Sequence, residues 1–258
     1  MPSEYPEPGE IVLVARLSAR IILENGGETY RAEETAQRIC RAFGLADAEV
    51  MALATGVFIT ASRGDSQAAA TLKRIHKRGF NLTAVEEVNC VARQIAAGGM
   101  NLGEARERLN AIAEEKPRRG WVPVLAAGAS SGCFALLFRG NGYDFLAATL
   151  CGMAVQLLAE RIKIEDMFQF TVNFLGGFLL TAGALLFTRF TGTGSLDKIV
   201  TGAMMPLLPG VAMTNAIRDT IRGDLLSGVS RGAEALLAVA SLAFGVGLAL
   251  KLYFQFLA

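Results

Sequence analysis

Five apolar runs fill the chain from residue 121 onward, at about 121–138, 143–159, 167–187, 199–216 and 233–254, and its charges gather at the breaks between them. Each run is near the ~20 residues that a helix needs to cross ~30 Å of hydrocarbon. Inside a bilayer every backbone amide and carbonyl has to find a partner within the protein, so continuous apolar runs of this length form helices. The expected fold class is an α-helical integral membrane protein with five transmembrane helices. The fourth run is the least regular, because Pro206 and Pro209 interrupt it.

Residues 1–118 read as a different material, charged and mixed, and are expected to form a cytosolic α+β domain ahead of a membrane domain over 119–258. Apolar residues at helical spacing over 11–24 end at Asn25-Gly26-Gly27, a left-handed stop. A second helix is predicted over 29–43, ending at Gly44. Short alternating runs at 50–54, 57–61 and 69–75 read as strands, separated by Gly56 and by Arg63-Gly64-Asp65-Ser66. Thr83-x-x-Glu86 and Asn101-x-x-Glu104 are capping patterns that start two more helices, with Gly98-Gly99 between them. A domain of this size can bury its own core.

The net charge of +1 gives no reason to expect a nucleic-acid partner. The first residues lack the basic and apolar stretches of a secretory leader, so the amino-terminal part is expected to stay in the cytosol. The junction is Lys116-Pro117-Arg118-Arg119-Gly120. Lys116, Arg118, Arg119, Arg161, Lys163, Arg218, Arg222 and Arg231 fall on one side of the five runs; Arg139, Arg189, Lys198 and Lys251 fall on the other. That bias puts the N-terminus in the cytosol and Ala258 outside a cytoplasmic, or inner, membrane. Gly128-x-x-x-Gly132, Gly176-Gly177 with Gly183, and Gly245-x-Gly247 let helix backbones come close, either within one bundle or against another subunit.

The chemistry concentrates after Pro206-Leu207-Leu208-Pro209-Gly210, where the two prolines break the helix and free backbone dipoles at membrane depth. Thr214, Asn215, Arg218 and Asp219 follow. Thr214 and Arg218 are four apart, as are Asn215 and Asp219, so hydroxyl, amide, guanidinium and carboxylate share one side of a helix. Arg218 could bind a carboxylate, and Asp219 an ammonium or a proton. Neutral isosteres at 218 and 219 are then expected to stop transport and leave insertion and expression intact. Arg222 and Asp224 around Gly223 read as a surface turn with local pairs. Glu234 is either a second proton carrier or the partner of Arg231 three residues before it. Gln156, Gln169, Thr171 and Asn173 are weaker polar signals, with Asn173 the one expected to line a pathway. Glu28-Thr29-Tyr30-Arg31 and Glu33-Glu34 gather charge at a helix start, which the helix dipole explains; a gate or regulatory contact is the sharper reading.

Several activities have no support. There is no phosphate-binding GxxxxGK[ST] loop, GxSxG elbow or GxGxxG turn, so neither ATP-driven transport nor a cofactor is expected. Cys40, Cys90, Cys133 and Cys151 form no CxxC pair and read as reduced thiols, and His76 alone makes neither a metal site nor a triad.

The series Pro209-Gly210, Thr214 to Asp219, Gly223-Asp224, Ser227-Gly228, Arg231 and Glu234-Ala235 resembles the threonine/serine exporter (ThrE) family, and Gly26 to Glu33 is similar to that family's amino-terminal signature. The resemblance runs from the first helix through the fifth apolar run. It implies a secondary exporter, coupled to a proton or ion gradient, with a small-molecule substrate. Larger members carry a second membrane half in the same chain. This length resembles the split form, which implies a small four-span membrane partner, or a homo-oligomer, and substrates among threonine, serine and succinate. Two other readings stay open: a membrane-anchored hydrolase built on Glu24, Glu28 and Glu33, and a structural scaffold.

Overall fold

The computed structural model describes residues 6–63, 67–76, 79–115, 120–161 and 169–256. Expectations that fall on residues 1–5, the turn at Gly64-Asp65-Ser66, the junction bases Lys116, Arg118 and Arg119, the base Lys163, the start of the third run at Met167, and Ala258 lie outside these. The chain forms two compact units, Met1–Pro117 with Val211–Gly232, and Arg118–Gly210 with Ala233–Ala258.

In the first unit α1 (Pro8–Glu24) is enclosed on almost every side, with Ile11, Ala15, Ala19, Ile21 and Ile22 fully buried. It is the axis of the core. α2 (Thr29–Ala42) buries Thr29, Ala32, Ala36, Ile39 and Cys40, a stripe at helical spacing, and turns out at Gly44 with φ +81°. Three antiparallel strands follow as a meander, β1 (Glu49–Leu53), β2 (Gly56–Arg63) and β3 (Gln67–Arg74). Val57, Ile59 and Ala61 alternate inward into the core that α1 shares. On the opposite face Met51, Phe58 and Leu72 stand in register across the three strands and are exposed.

α3 (Leu82–Ala96) and α4 (Leu102–Glu114) complete the amino-terminal segment. The cap of α3 is Asn81, whose side chain accepts from the Ala84 amide at 3.2 Å. Thr83, the expected cap, lies inside the first turn, because an asparagine two residues earlier offers an acceptor at the right height. At α4 the expected capping box forms, with Asn101 accepting from Glu104 N at 2.9 Å and Glu104 accepting from Asn101 N at 3.1 Å.

The second unit holds α5 (Trp121–Leu137), α6 (Gly142–Arg161), α7 (Gln169–Thr191) and α8 (Leu196–Met204). A single 3-10 turn, Met205–Leu207, extends α8. α9 (Gly210–Ile221) and the first two turns of α10 (Leu225–Phe256) belong to the first unit, and α10 from Ala233 onward belongs to the second. Gly142–Arg161, Phe170–Thr191 and Leu225–Phe256 are long and apolar enough to cross a membrane; α8 with its turn and α9 make a fourth if counted as one broken span. α5, at 17 residues, is shorter. It stops where Arg139 takes φ +62° and Gly140 N donates to Ala135 O at 2.9 Å, a Schellman ending.

Close backbone approaches inside the second unit absorb most of the glycines that had left a subunit interface open. A Cβ on Gly128 would meet Thr149 O at 3.0 Å, one on Gly132 would meet the Phe145 ring at 2.8 Å, and one on Gly152 would meet Ala127 O at 3.0 Å. α5 and α6 therefore pack as a hairpin of touching backbones. Gly177 meets Leu242 and Gly245 meets the Phe174 carbonyl, which seats α7 against α10; Gly247 has nothing within 4 Å. Asp144, which the sequence reading did not single out, is fully buried and accepts from Asn141 N at 2.8 Å and from Ser195 N at 2.6 Å. It ties the start of α6 to the connection between α7 and α8.

Candidate functional site

The first unit closes three short segments on one another: the α1–α2 loop, α9 and the start of α10. The α1–α2 loop is shaped by its glycines. Gly26 has φ +83°, and Gly27 N donates to Ile22 O at 2.8 Å, a left-handed helix ending that leaves the carbonyls of both glycines to accept from elsewhere. A Cβ at Gly27 would collide with Ile22, so the turn has room for nothing larger.

α9 ends the same way. Gly223 takes φ +91°, Gly223 N donates to Thr220 O at 3.1 Å and Asp224 N to Asp219 O at 3.0 Å. Asp224 then accepts from Ser227 N at 3.2 Å, capping α10. The turn is present and Asp224 bonds locally, whereas Arg222 reaches across to Tyr30 on α2. Gly228 admits α9 at close range, since a Cβ there would meet Ala216 O at 3.0 Å. The buried faces that result are Asn215, Ala216 and Asp219 on α9, and Ser227, Gly228 and Arg231 on α10.

Polar side chains fill the space between. Asn215 Nδ2 donates to Gly26 O at 2.9 Å, and Arg231 donates to Gly27 O at 3.0 Å. Thr29 Oγ1 donates to Asp219 Oδ1 at 2.9 Å, and Arg231 Nε lies 3.3 Å from Asp219 Oδ2. Asp219 is 1 % exposed and Arg231 7 %, so this ion pair is shielded from water. One layer outward, Glu28 binds two guanidinium groups: Arg31 Nε donates to Glu28 Oε2 at 2.8 Å, and Arg218 donates to Glu28 Oε1. Arg222 stacks over the Tyr30 ring at 3.4 Å, and Ser227 Oγ accepts from Ala54 N at 3.1 Å. Glu33 accepts from Ala52 N at 2.8 Å.

Two carboxyl groups outside the apolar helices respond to this setting. Burial pushes Glu28 up, but its own backbone amide, Arg31 and Arg218 outweigh burial and hold it below the ordinary glutamate value. The stability that this clamp contributes is therefore present above the unfolded-state value and is lost as pH falls through the lowered folded one. Glu33 is raised by burial, which the Ala52 amide opposes and Asp224 and Asp219 reinforce. Burial lifts the Cys40 thiol to about 11, so it is an inert core residue. Among the described residues no cluster of three histidine, cysteine or acidic side chains could hold a metal ion.

Of the residues singled out from sequence, Asn215, Arg218 and Asp219 belong to this network. Thr214 is on the exposed side of α9. In the second unit, Pro206 sits in the 3-10 turn, Pro209 follows it, and Gly210 N donates to Leu208 O at 2.8 Å, so the predicted helix break is present. Asn173 is buried and donates to Ala238 O at 3.3 Å, a bond between α7 and α10, while Glu234 is exposed. Glu28, Thr29 and Arg231 complete the network. The charge gathered at the start of α2 was the signal for Glu28 and Thr29, and it serves contacts with α9 in addition to any dipole effect; Arg231, three residues before Glu234, pairs with Asp219.

The two segments that carry the family resemblance are thus the two halves of one hydrogen-bonded site. The ThrE family, described as "Putative threonine/serine exporter", matches residues 13–253. The chain belongs to the threonine/serine exporter family. Threonine/serine exporters are transporters, which decides against the hydrolase built on Glu24, Glu28 and Glu33 and, with the long apolar helices, makes this a multi-pass membrane protein. Relatives within reach are the "Probable succinate transporter subunit YjjP" of Escherichia coli strain K12, 25 % identical over 90 % of both chains, and the protein of the same name in Klebsiella aerogenes, 24 % identical over 98 % of both. The "Probable threonine/serine exporter" of Mycobacterium tuberculosis is 24 % identical over 90 % of this chain but 44 % of its own length. No solved structure matches.

Proposed function

We propose that this threonine/serine exporter family member is a subunit of a secondary exporter that moves a small carboxylate, either threonine and serine or succinate, out across the cytoplasmic membrane. Transport is coupled to the proton or ion gradient. The observation that carries this reading is the network in which Arg218 and Asp219 on α9 meet Glu28 and Thr29 at the start of α2, with Asp219 buried and Arg218 open to water on a helix that follows a broken apolar segment. A buried charge pair held at a desolvation cost beside a guanidinium that water can reach suits a solute or proton site. In the first unit Arg218 is the carboxylate-binding group, Asp219 the candidate proton carrier, and Thr214 and Asn215 neutral polar contacts; in the second, Glu234 is a candidate proton carrier and Asn173 a candidate pathway-lining amide. The break at Pro206, Pro209 and Gly210 provides the backbone dipoles. Two relatives of this chain's length are named as subunits and one longer relative is not, which favours a separate partner, a small four-span membrane protein or a second copy of this chain.

Cells loaded with labelled threonine, serine or succinate should release one of these classes faster when the chain is present. Equal release of all three with and without it would sink the exporter reading.

We also propose five spans, with the shorter α5 as the first of them, a cytosolic amino-terminal domain over residues 1–118 and an external C-terminus. In a cysteine-free background, single cysteines at Glu10 and at Phe256 should react with an impermeant thiol reagent from opposite sides. Labelling of both from outside would overturn that topology.

A further inference from the structure

Glu28 is the N-cap residue of α2, yet its side chain makes no capping hydrogen bond. It is turned to two arginines instead. Arg31 reaches it with Nε at 2.8 Å and with a second nitrogen at 3.5 Å, and Arg218 reaches the oxygen Oε1 from α9. The side chain of Glu28 is 10 % exposed, whereas those of Arg31 and Arg218 are 40 % and 43 % exposed. The carboxylate is covered while both guanidinium groups face water. Planar guanidinium forks are the side chains best matched to a carboxylate, and one carboxylate between two of them leaves an excess positive charge. The open N-terminus of α2 adds a field of the same sign.

We propose that Arg31 and Arg218 form a carboxylate seat that Glu28 fills in this structure, and that the carboxylate of a small organic acid takes Glu28's place there. Glu28 is then a built-in competitor. Displacing it breaks the Glu28–Arg218 contact between α2 and α9 and leaves the Thr29–Asp219 bond in place, so that occupancy by solute is read directly as release of one contact between the two signature segments. This rests on the exporter reading of the site. The chemistry fits a dicarboxylate such as succinate and an α-amino acid such as threonine equally, since both present a carboxylate to the same two arginines.

The test is equilibrium binding of labelled succinate and of labelled threonine to the purified full chain. Glu28→Gln keeps the size and removes the competing charge, so it should tighten binding of at least one of the acids about tenfold. Glu28→Asp, whose carboxylate is one methylene shorter, should shift in the same direction by less, and it answers the question if the Gln variant does not fold. Arg218→Gln should weaken binding at least about tenfold. Glu34→Gln, which loses only a surface pair with Arg38, should leave it unchanged. Tightening with succinate alone assigns the seat to dicarboxylates, and with threonine alone to amino acids. If Arg218→Gln loses binding but neither Glu28 variant tightens it, the seat is not one that Glu28 occupies in competition, and the proposal falls while the exporter site stands. If both acids bind and neither Arg218 nor Glu28 matters, or if no variant binds either acid, the proposal falls together with the placement of the site.

Discussion

Replacing Asp219 by alanine is expected to lower the stability of the full chain by about 3–5 kcal/mol, because it removes the carboxylate beside a guanidinium that stays buried. Arg231 is 7 % exposed and lies 3.3 Å from that carboxylate, and Thr29 loses its acceptor in the same step. The unfolding midpoint in detergent, followed by circular dichroism, reads the loss directly. Asp219→Asn keeps an oxygen for Thr29 and should fall between alanine and wild type. The structure thus adds a stability cost to the expectation that this isostere stops transport and leaves insertion and expression intact. A midpoint for Asp219→Ala equal to wild type would mean that the ion pair is not buried as described.

The same pair can be removed without the same penalty. Buried ion pairs replaced whole by apolar side chains of similar volume are often neutral in stability, since neither charge has to be desolvated. Asp219→Leu combined with Arg231→Met should therefore recover part of the midpoint lost in the single variant, the remainder being the bonds lost by Thr29 Oγ1 and Gly27 O. Fold and function separate in that protein, because a packed but uncharged site has nothing to offer a proton or a carboxylate.

Arg218→Gln should behave in the opposite way, with small effects on stability and large ones on transport. Its side chain is 43 % exposed, so the pair with Glu28 contributes under about 1 kcal/mol after screening. Efflux should nevertheless fall to the level of cells lacking the chain, as the guanidinium that would meet the solute carboxylate is gone. Arg222→Gln is the comparison. Arg222 stacks on Tyr30 at 3.4 Å, a contact worth about 0.5–1 kcal/mol at an exposed site, and its loss should leave most of the efflux in place. Equal losses in the two variants would show that a general basic surface, rather than Arg218, is what matters.

Much of this was readable from residues alone, for physical reasons that differ between elements. The three strands and the helices over residues 8–24 and 29–42 follow from short-range periodicity and from Gly26 and Gly44 at left-handed positions. The break at Pro206 and Pro209 follows from the missing amide donors. The cap at Asn81 was missed because Thr83 offered the better-known pattern with Glu86, and local sequence does not reveal which hydroxyl or amide reaches the first free amide. Arg218 and Asp219 stood out as charges next to apolar runs, but their partners on α2 are 190 residues away in the chain. Periodicity carries no information about such pairs. For the same reason Thr29 and Glu28 could be read as serving the dipole of their own helix. Gly128 and Gly132 of α5, Gly177 of α7 and Gly245 of α10 signalled close packing, which Gly247 does not show, while the neighbour each one packs against depends on the assembled bundle.

The most direct test is efflux from loaded cells that express wild type, Arg218→Gln, Glu34→Gln, and the Asp219→Leu/Arg231→Met double variant at matched levels in the membrane. Wild type and Glu34→Gln should export the labelled acid, and the other two should match cells without the chain. Export at the wild-type rate by the double variant and by Arg218→Gln would contradict the account, because the charges joining α2, α9 and α10 would then serve the fold and not the passage of solute.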